Sequence, residues 1–329
     1  MEPFGDPATQ YADFAAEARG ESPCFEEWAD GVAGDPEVLA WLATLPAGKQ
    51  QPNLVFAAAR WHGVPAPGPY DALRAALLAD DGTIRATILR RSTQTNEVGR
   101  LATLTPVFSM LADGRPLALL EVGTSAGLCL YPDRYDYAWR TAGGVVRSAP
   151  QGGPVLMCEV TGDASLPGHA PSVAWRGGID LNPLDVADED AMSWLTILVW
   201  PEHDERRVRL ERAIAIARSD PPELVRGDLL DELPALVERA AAAGPVVVFH
   251  SAVIAYLEPD DRDRFHRLMT DLVADGGCHW VSNEAKRVLP AVTATGPPIP
   301  EDTPTFVLGV DGRAVAWTHG HGRWISWFG

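Results

Sequence analysis

The run LALLEVGTSAGLCL, residues 117–130, most constrains what this chain can fold into: an apolar stretch ends in one acid and turns through two glycines. That pattern predicts a buried strand, a tight loop and a helix start. Gly123 and Gly127 permit positive φ and close backbone approach, and Thr124 and Ser125 offer hydroxyls. Free amides at the helix N-terminus that follows would favour a polar or anionic ligand. The same five residues, Gly123 to Gly127, also spell G-x-S-x-G, the elbow that lifts a serine nucleophile above a hydrolase sheet.

The remainder of the chain bears on which chemistry applies. With 329 residues it exceeds the usual size of a single core, which predicts one large α/β domain with an appended smaller unit. The 27 basic and 45 acidic residues give a net charge of −18, a field that repels phosphate backbones and anionic lipid. Nucleic acid and membrane partners are therefore not expected. The same field favours an amine-bearing small molecule, although solubility alone is the simpler account of it. Cys24, Cys129, Cys158 and Cys278 are far apart, without the paired spacing of a zinc site or a disulfide framework, and read as reduced core thiols. No metal is expected. The acidic N-terminus lacks the pattern of a secretory signal, and no run approaches the roughly 20 apolar residues of a membrane helix, so a cytoplasmic protein is expected.

From Ala12 to about Leu111 the apolar spacing is helical, which predicts an all-helical domain over residues 1–114. From 115 to 329 short β-branched runs alternate with helical ones, the signature of a mainly parallel sheet with crossover helices. Strands are expected near 117–122, 172–179, 223–226, 245–250 and 278–282. An insertion at about 130–171 is too long for an ordinary connection and is read as a β-excursion over the site. Near the C-terminus TFVLGV, DGR and AVAWTHG form a hairpin around a D-G turn, expected to close the sheet as an antiparallel pair.

Polar residues then stand at successive strand ends. Asp180 would hydrogen-bond a ribose diol or form an Asx turn before Asn182-Pro183. Asp228 would face a ligand or cap the helix that begins there. His250 and Ser251 end the fourth strand at the edge where open α/β sheets place ligands. A second polar island, RRSTQTNEVGR at residues 90–100, would, if helical, bring Thr93, Asn96, Glu97 and Arg100 onto one face. We expect this island to meet the glycine loop, with Asn96 or Glu97 near Ser125 or His250. The serine-hydrolase reading would draw its base from His319 or His321 and its acid from Asp302 or Asp311, but it lacks the strand-rich segment expected before the elbow.

The region from Arg115 to Gly329 resembles the class I methyltransferase fold, a Rossmann-like sheet with a glycine loop after its first strand. That resemblance implies S-adenosylmethionine as cofactor. It places Glu121, Gly123, Ser125, Gly127, Asp180 and Asp228 at the cofactor, with Ser125 where a middle glycine is usual. The motifs RSTQTNEVGR, LLEVGTSAGLCLYPDRYDY, GIDLNPLDV, RGDLLDELPAL and VVVFHSAVIAYL together resemble the actinobacterial domain-of-unknown-function 2332 family across essentially the whole chain. Cys129 stands where that family usually shows asparagine.

The leading expectation is a small-molecule enzyme on a methyltransferase-like scaffold, transferring a group to an amine or other nucleophile. Its ligand would lie between the glycine loop and the helical cap. Glu97, Asp133, His250 and Glu284 are the candidate bases. Gln94, Asn96, Arg100, Arg134, Tyr135, Arg176, Ser251 and Tyr256 are the candidate substrate contacts. The alternatives are a cofactor-independent enzyme for substitution, elimination or ring closure on an amino-bearing substrate, a serine hydrolase using Ser125, and a non-catalytic binding protein.

Overall fold

The computed structural model describes residues 6–94, 96–163, 165–299 and 305–328. The chain divides into two compact units, one made of residues up to 95 with Asp188–Glu211, the other of Asn96–Ala187 with the chain from Arg212 onward. The division therefore falls at 95/96, where the composition suggested 114/115, and a short later segment rejoins the helical unit.

The first unit contains α1 (Pro7–Ala18), α2 (Pro23–Ala33), α3 (Pro36–Leu42), α4 (Pro52–Trp61), α5 (Tyr70–Leu78) and α6 (Thr83–Arg90). After α7 (Leu101–Ala112), which belongs to the second unit, α8 (Glu189–Ile197) returns to the first. Three of the starts repeat one device: Asp6, Ser22 and Asp35 each accept a backbone N–H of the first turn, and a proline follows at once. The side chain satisfies an amide the helix cannot, and proline presets φ where its missing N–H costs nothing. The core is aromatic, with Phe25 packed against Trp28 and Phe56 at centroid distances of 5.7 and 5.1 Å. Trp194 of α8 is buried in the same cluster. Arg60 donates to the Ile197 and Val199 carbonyls, both at 2.7 Å, and so ties the returning segment to α4.

The second unit is built on one mostly parallel sheet. Its strands are β1 (Leu117–Val122), β2 (Asp136–Thr141), β3 (Gly144–Arg147), β4 (Val155–Thr161), β5 (Val173–Asp180) and β6 (Glu223–Arg226). They continue with β7 (Val246–Ser251), β8 (His279–Ala285), β9 (Phe306–Val310), β10 (Arg313–Thr318) and β11 (Trp324–Trp327). In space the eleven run β3-β2-β4-β11-β10-β9-β8-β7-β1-β5-β6. Strand β1 is buried along its whole length, as a central parallel strand covered on both faces must be. The helices are α9 (Asp204–Ser219), which spans the division of the chain, α10 (Leu229–Ala241), α11 (Pro259–Ala274) and α12 (Pro290–Thr293).

Alternation along each strand assigns residues to faces. Leu120, Val122, Val248 and Trp280 pack with Leu233 and Val237 of α10 and with Phe265 and Met269 of α11. On the other face Phe249 meets Phe108 of α7 at 5.1 Å. Trp139 of β2 donates its indole N–H to the Ala102 carbonyl of α7 at 2.8 Å. No helix among the described residues is long and apolar enough to cross a membrane.

Two expectations about the sheet are corrected. The β9–β10 hairpin forms around Asp311 and Gly312, both at positive φ, as a tight D-G turn requires, but it does not close the sheet. Strand β11 continues from it and pairs in parallel with β4, Trp324–Ser326 against Glu159–Thr161. The insertion is accordingly no excursion over the site: β2, β3 and β4 extend the same sheet at one end.

Candidate functional site

At the carboxyl end of β1 the chain turns through Gly123, Ser125 and Gly127, with φ of +66°, +51° and +70°. Ser125 holds its left-handed conformation without glycine's freedom. Its N–H donates to Asp180 Oδ2 at 2.8 Å, while Asp180 Oδ1 accepts the Asn182 N–H at 2.7 Å. Gly123 and Thr124 both donate to the Ile179 carbonyl, at 2.8 and 3.2 Å, and Gly127 donates to that of Thr124 at 2.7 Å. Gly178 of β5 leaves the space in which Thr124 sits.

The expected cradle of free amides is therefore corrected. The loop amides of residues 123, 124, 125 and 127 are spent on the protein itself, and the turn that follows, Leu128–Leu130, is a single 3-10 turn. Close approach at Gly123 is made by a side chain: a Cβ there would collide with both methyls of Val253. Asp180 braces the loop and forms the Asx-type contact to Asn182.

The polar island reaches this loop, though not as a helix. Residues 91–94 and 96–97 are irregular and lead into a 3-10 turn at Val98–Arg100. Asn96 donates to the Thr124 carbonyl at 3.3 Å and accepts the Leu128 N–H at 2.9 Å, so it clamps both flanks of Ser125. Glu97 is buried, with Oε1 accepting the Gly99 N–H at 3.0 Å and Oε2 lying 3.7 Å from His321 Nδ1. Arg100 donates to the Gly320 carbonyl at 2.7 Å and to that of Ser251 at 2.8 Å. Gln94 belongs to the helical unit.

Glu121 lies on the α7 face of the sheet, in register with Gly178 and Phe249, and is 8% exposed. Burial pushes its carboxyl up to about 8, and the nearby Asp180 charge adds to that. The Thr124 hydroxyl, which donates to Oε2 at 2.9 Å, and the Arg100 guanidinium pull the other way. The Cys129 thiol, 3.7 Å from the Glu97 carbonyl oxygen, is also pushed well up by burial.

Other predicted residues lie elsewhere. His250 and Glu284 are buried on the opposite, α10–α11 face, where His250 packs on Phe265 at 5.2 Å. His250 Nδ1 donates to Glu284 Oε1 at 2.7 Å, and its Nε2 accepts the Trp280 indole N–H at 3.0 Å, so neither ring nitrogen is left for a substrate. Tyr135 is a core residue, its hydroxyl donating to the Leu128 carbonyl at 3.0 Å. Arg176 is held by Asp133 at 2.7 Å and by the Leu130 carbonyl at 2.7 Å, and stacks on Tyr131. Arg134 pairs with Asp220 at 3.6 Å and with Asp133 at 3.7 Å. Asp228 caps α10 through the Leu230 N–H at 2.8 Å and is exposed. Tyr256 is 82% exposed, and the Ser251 hydroxyl accepts from Asn283 at 2.9 Å.

The hydrolase geometry is not assembled. Ser125 Oγ is buried without a hydrogen-bond partner, so no imidazole is in place to take its proton. Asp311 is engaged with His279 at 2.9 Å, and Asp302 lies outside the described residues. Three residues went unnoticed in the sequence, Val253, Trp280 and Asn283. Asn283 is fully buried and accepts the Thr318 hydroxyl at 2.6 Å.

A search of curated proteins finds no match to the chain. The sequence profile of one family, described as an uncharacterized protein conserved in bacteria (DUF2332), matches residues 8–327, nearly the whole length. The chain belongs to the DUF2332 family.

Proposed function

We propose that this chain is a small-molecule enzyme on a Rossmann-type, methyltransferase-like scaffold, acting on an amine-bearing substrate at the carboxyl ends of β5, β1 and β7. The strand order β6-β5-β1-β7-β8 supports the scaffold. From β1 the chain builds outward through β5 and β6, then returns to the other side of β1 with β7. Open α/β sheets take their ligands at such a reversal. An antiparallel strand beside β8 is also a feature of the methyltransferase fold.

Glu121 is the observation that carries the chemistry. It sits at that reversal with its carboxyl raised to about 8. An ordinary carboxylate is far too weak a base for an alkylammonium group, and raising the proton affinity narrows that gap. Where pH approaches 8 and its carboxyl ionises, Glu121 would take the ammonium proton and leave the amine lone pair free to attack. Arg100 and the Thr124 hydroxyl would steady the carboxylate whenever it is charged.

The scaffold implies S-adenosylmethionine, which when bound would supply an activated methyl group. Asp180 fits it, because a carboxylate that accepts two amides keeps capacity for a ribose hydroxyl. The glycine loop does not: its amides are turned inward, Ser125 replaces a glycine, and Val253 lies on Gly123. The closed loop favours a second reading, cofactor-independent substitution or ring closure in which the substrate carries its own leaving group.

Calorimetry and thermal shift with S-adenosylmethionine and S-adenosylhomocysteine test the choice, since a ligand of the native state must stabilise it. Stabilisation by either supports cofactor-dependent transfer. Stabilisation by primary amines alone supports the second reading. Amine binding that Glu121→Gln leaves unchanged would remove Glu121 from the chemistry.

A further inference from the structure

The buried His250–Glu284 pair has an arrangement that proton transfer does not explain. Both groups lie in the core on the sheet face away from Glu121, yet they connect to the glycine loop through the backbone that follows β7. That backbone is unusual. Ala252 adopts φ +59°, a conformation a side chain disfavours, and it persists because its neighbours are tied. The Ala252 N–H donates to the Asn283 carbonyl at 3.1 Å. Both the Val253 and Ile254 N–H groups donate to Glu284 Oε1, at 3.0 and 3.2 Å.

The acceptor in those bonds is itself placed by a chain of donors. The Trp280 indole N–H donates to His250 Nε2 at 3.0 Å, which fixes the imidazole as its neutral Nδ1–H form. Nδ1–H then donates to Glu284 Oε1 at 2.7 Å. At the other end of this chain the Val253 side chain rests on Gly123, so closely that a methyl group on the glycine would strike both valine methyls.

We propose that Trp280, His250 and Glu284 are positioning residues: they hold the 252–254 turn so that Val253 covers the glycine loop and sets the room above Gly123. The significance of that room rests on the reading of the loop as a ligand site. The two are tested separately, because ligand titration decides the site and amide exchange decides the positioning.

Native-state hydrogen exchange of the full-length protein, resolved by residue, provides the test. Glu284→Ala removes the shared acceptor, and the Val253 and Ile254 amides should then exchange roughly tenfold faster while Leu119 and Leu120 of β1 keep their rates. Glu284→Gln retains a carbonyl oxygen and should leave the two amides within about twofold of wild type. Trp280→Phe keeps an aromatic ring but loses the N–H, and should speed the same two amides by roughly threefold. Unchanged exchange at both amides in Glu284→Ala and Trp280→Phe overturns the proposal, as does acceleration shared equally with β1. If Glu284→Ala does not fold, Trp280→Phe decides alone. A double-mutant cycle checks the contact: the fall in Tm caused by Gly123→Ala should shrink by about half in a Val253→Ala background, because only the backbone component remains. An equal fall in both backgrounds overturns Val253 as the cover.

Discussion

Ser125 and Asp180 are joined by a 2.8 Å hydrogen bond from the serine N–H to the aspartate carboxylate, which ties the loop after β1 to the end of β5. The acid expected at a ribose is thus a structural brace in this chain, and it also holds the Asn182 N–H. Asp180→Ala should cost about 1–3 kcal/mol, because the buried Ser125 N–H loses its acceptor. Asp180→Asn keeps one acceptor oxygen and should cost less. Urea denaturation at neutral pH measures both.

Asn96 gives a second handle on the loop. It serves the Thr124 carbonyl and the Leu128 N–H together, so Asn96→Ala should destabilise by about 1–3 kcal/mol. Asn96→Asp still accepts from Leu128 but cannot donate to Thr124, and should fall between the two. Equal stability of the wild type and both variants would detach the segment from the loop.

Glu121 predicts a pH dependence with a definite sign. Its carboxyl is raised from 4.5 to about 8 in the folded protein, so the native state holds a proton that the unfolded chain has released. Its contribution is fully present below about 4.5 and is lost as pH rises through about 8. Denaturation midpoints of the wild type should fall between pH 6 and pH 9 relative to those of Glu121→Gln, by a difference of at least about 1 kcal/mol. Parallel profiles would show that the carboxyl is not shifted.

Ser125 should behave as a strained loop residue. Its hydroxyl has no partner and its φ is positive, so Ser125→Gly should stabilise the fold by about 0.5–1 kcal/mol. A fluorophosphonate probe should leave the protein unlabelled. Stoichiometric labelling at Ser125 would restore the serine nucleophile.

Asp228 separates a helix cap from a ligand contact. Asp228→Ala should cost about 1 kcal/mol through loss of the α10 cap, with no change in the response to any ligand that stabilises the wild type. A ligand shift that disappears in this variant at unchanged stability would place Asp228 in the site.

Much of this fold is written locally. The β1 run, bounded by Pro116 and Gly123, forms at the expected residues, and β5, β6, β7 and β8 lie where apolar runs end in polar residues. The Asp-Pro and Ser-Pro pairs mark helix starts, and Asp311-Gly312 marks a hairpin turn, because each depends on backbone torsions set by adjacent residues. Alternation alone puts Glu121 opposite in phase to Leu120. It also puts His250 in phase with Val248, and Glu284 in phase with Trp280. The sequence by itself therefore determined β1, β5 to β8 and the β9–β10 hairpin, their order, and the presence of a glycine loop after β1.

Only the tertiary structure decided what those elements meet. The pairing of β4 with β11 joins strands more than 160 residues apart, and no local pattern encodes which edge a strand will find. The same holds for the return of 188–211 to the helical unit. At the loop, the chain was legible as glycines, hydroxyls and acids, but not as donors already satisfied. Whether an amide is free depends on whether Ile179, Asp180 or Asn96 reaches it, and that is set by packing between distant segments, where an unmet polar group is costly enough to select its partner.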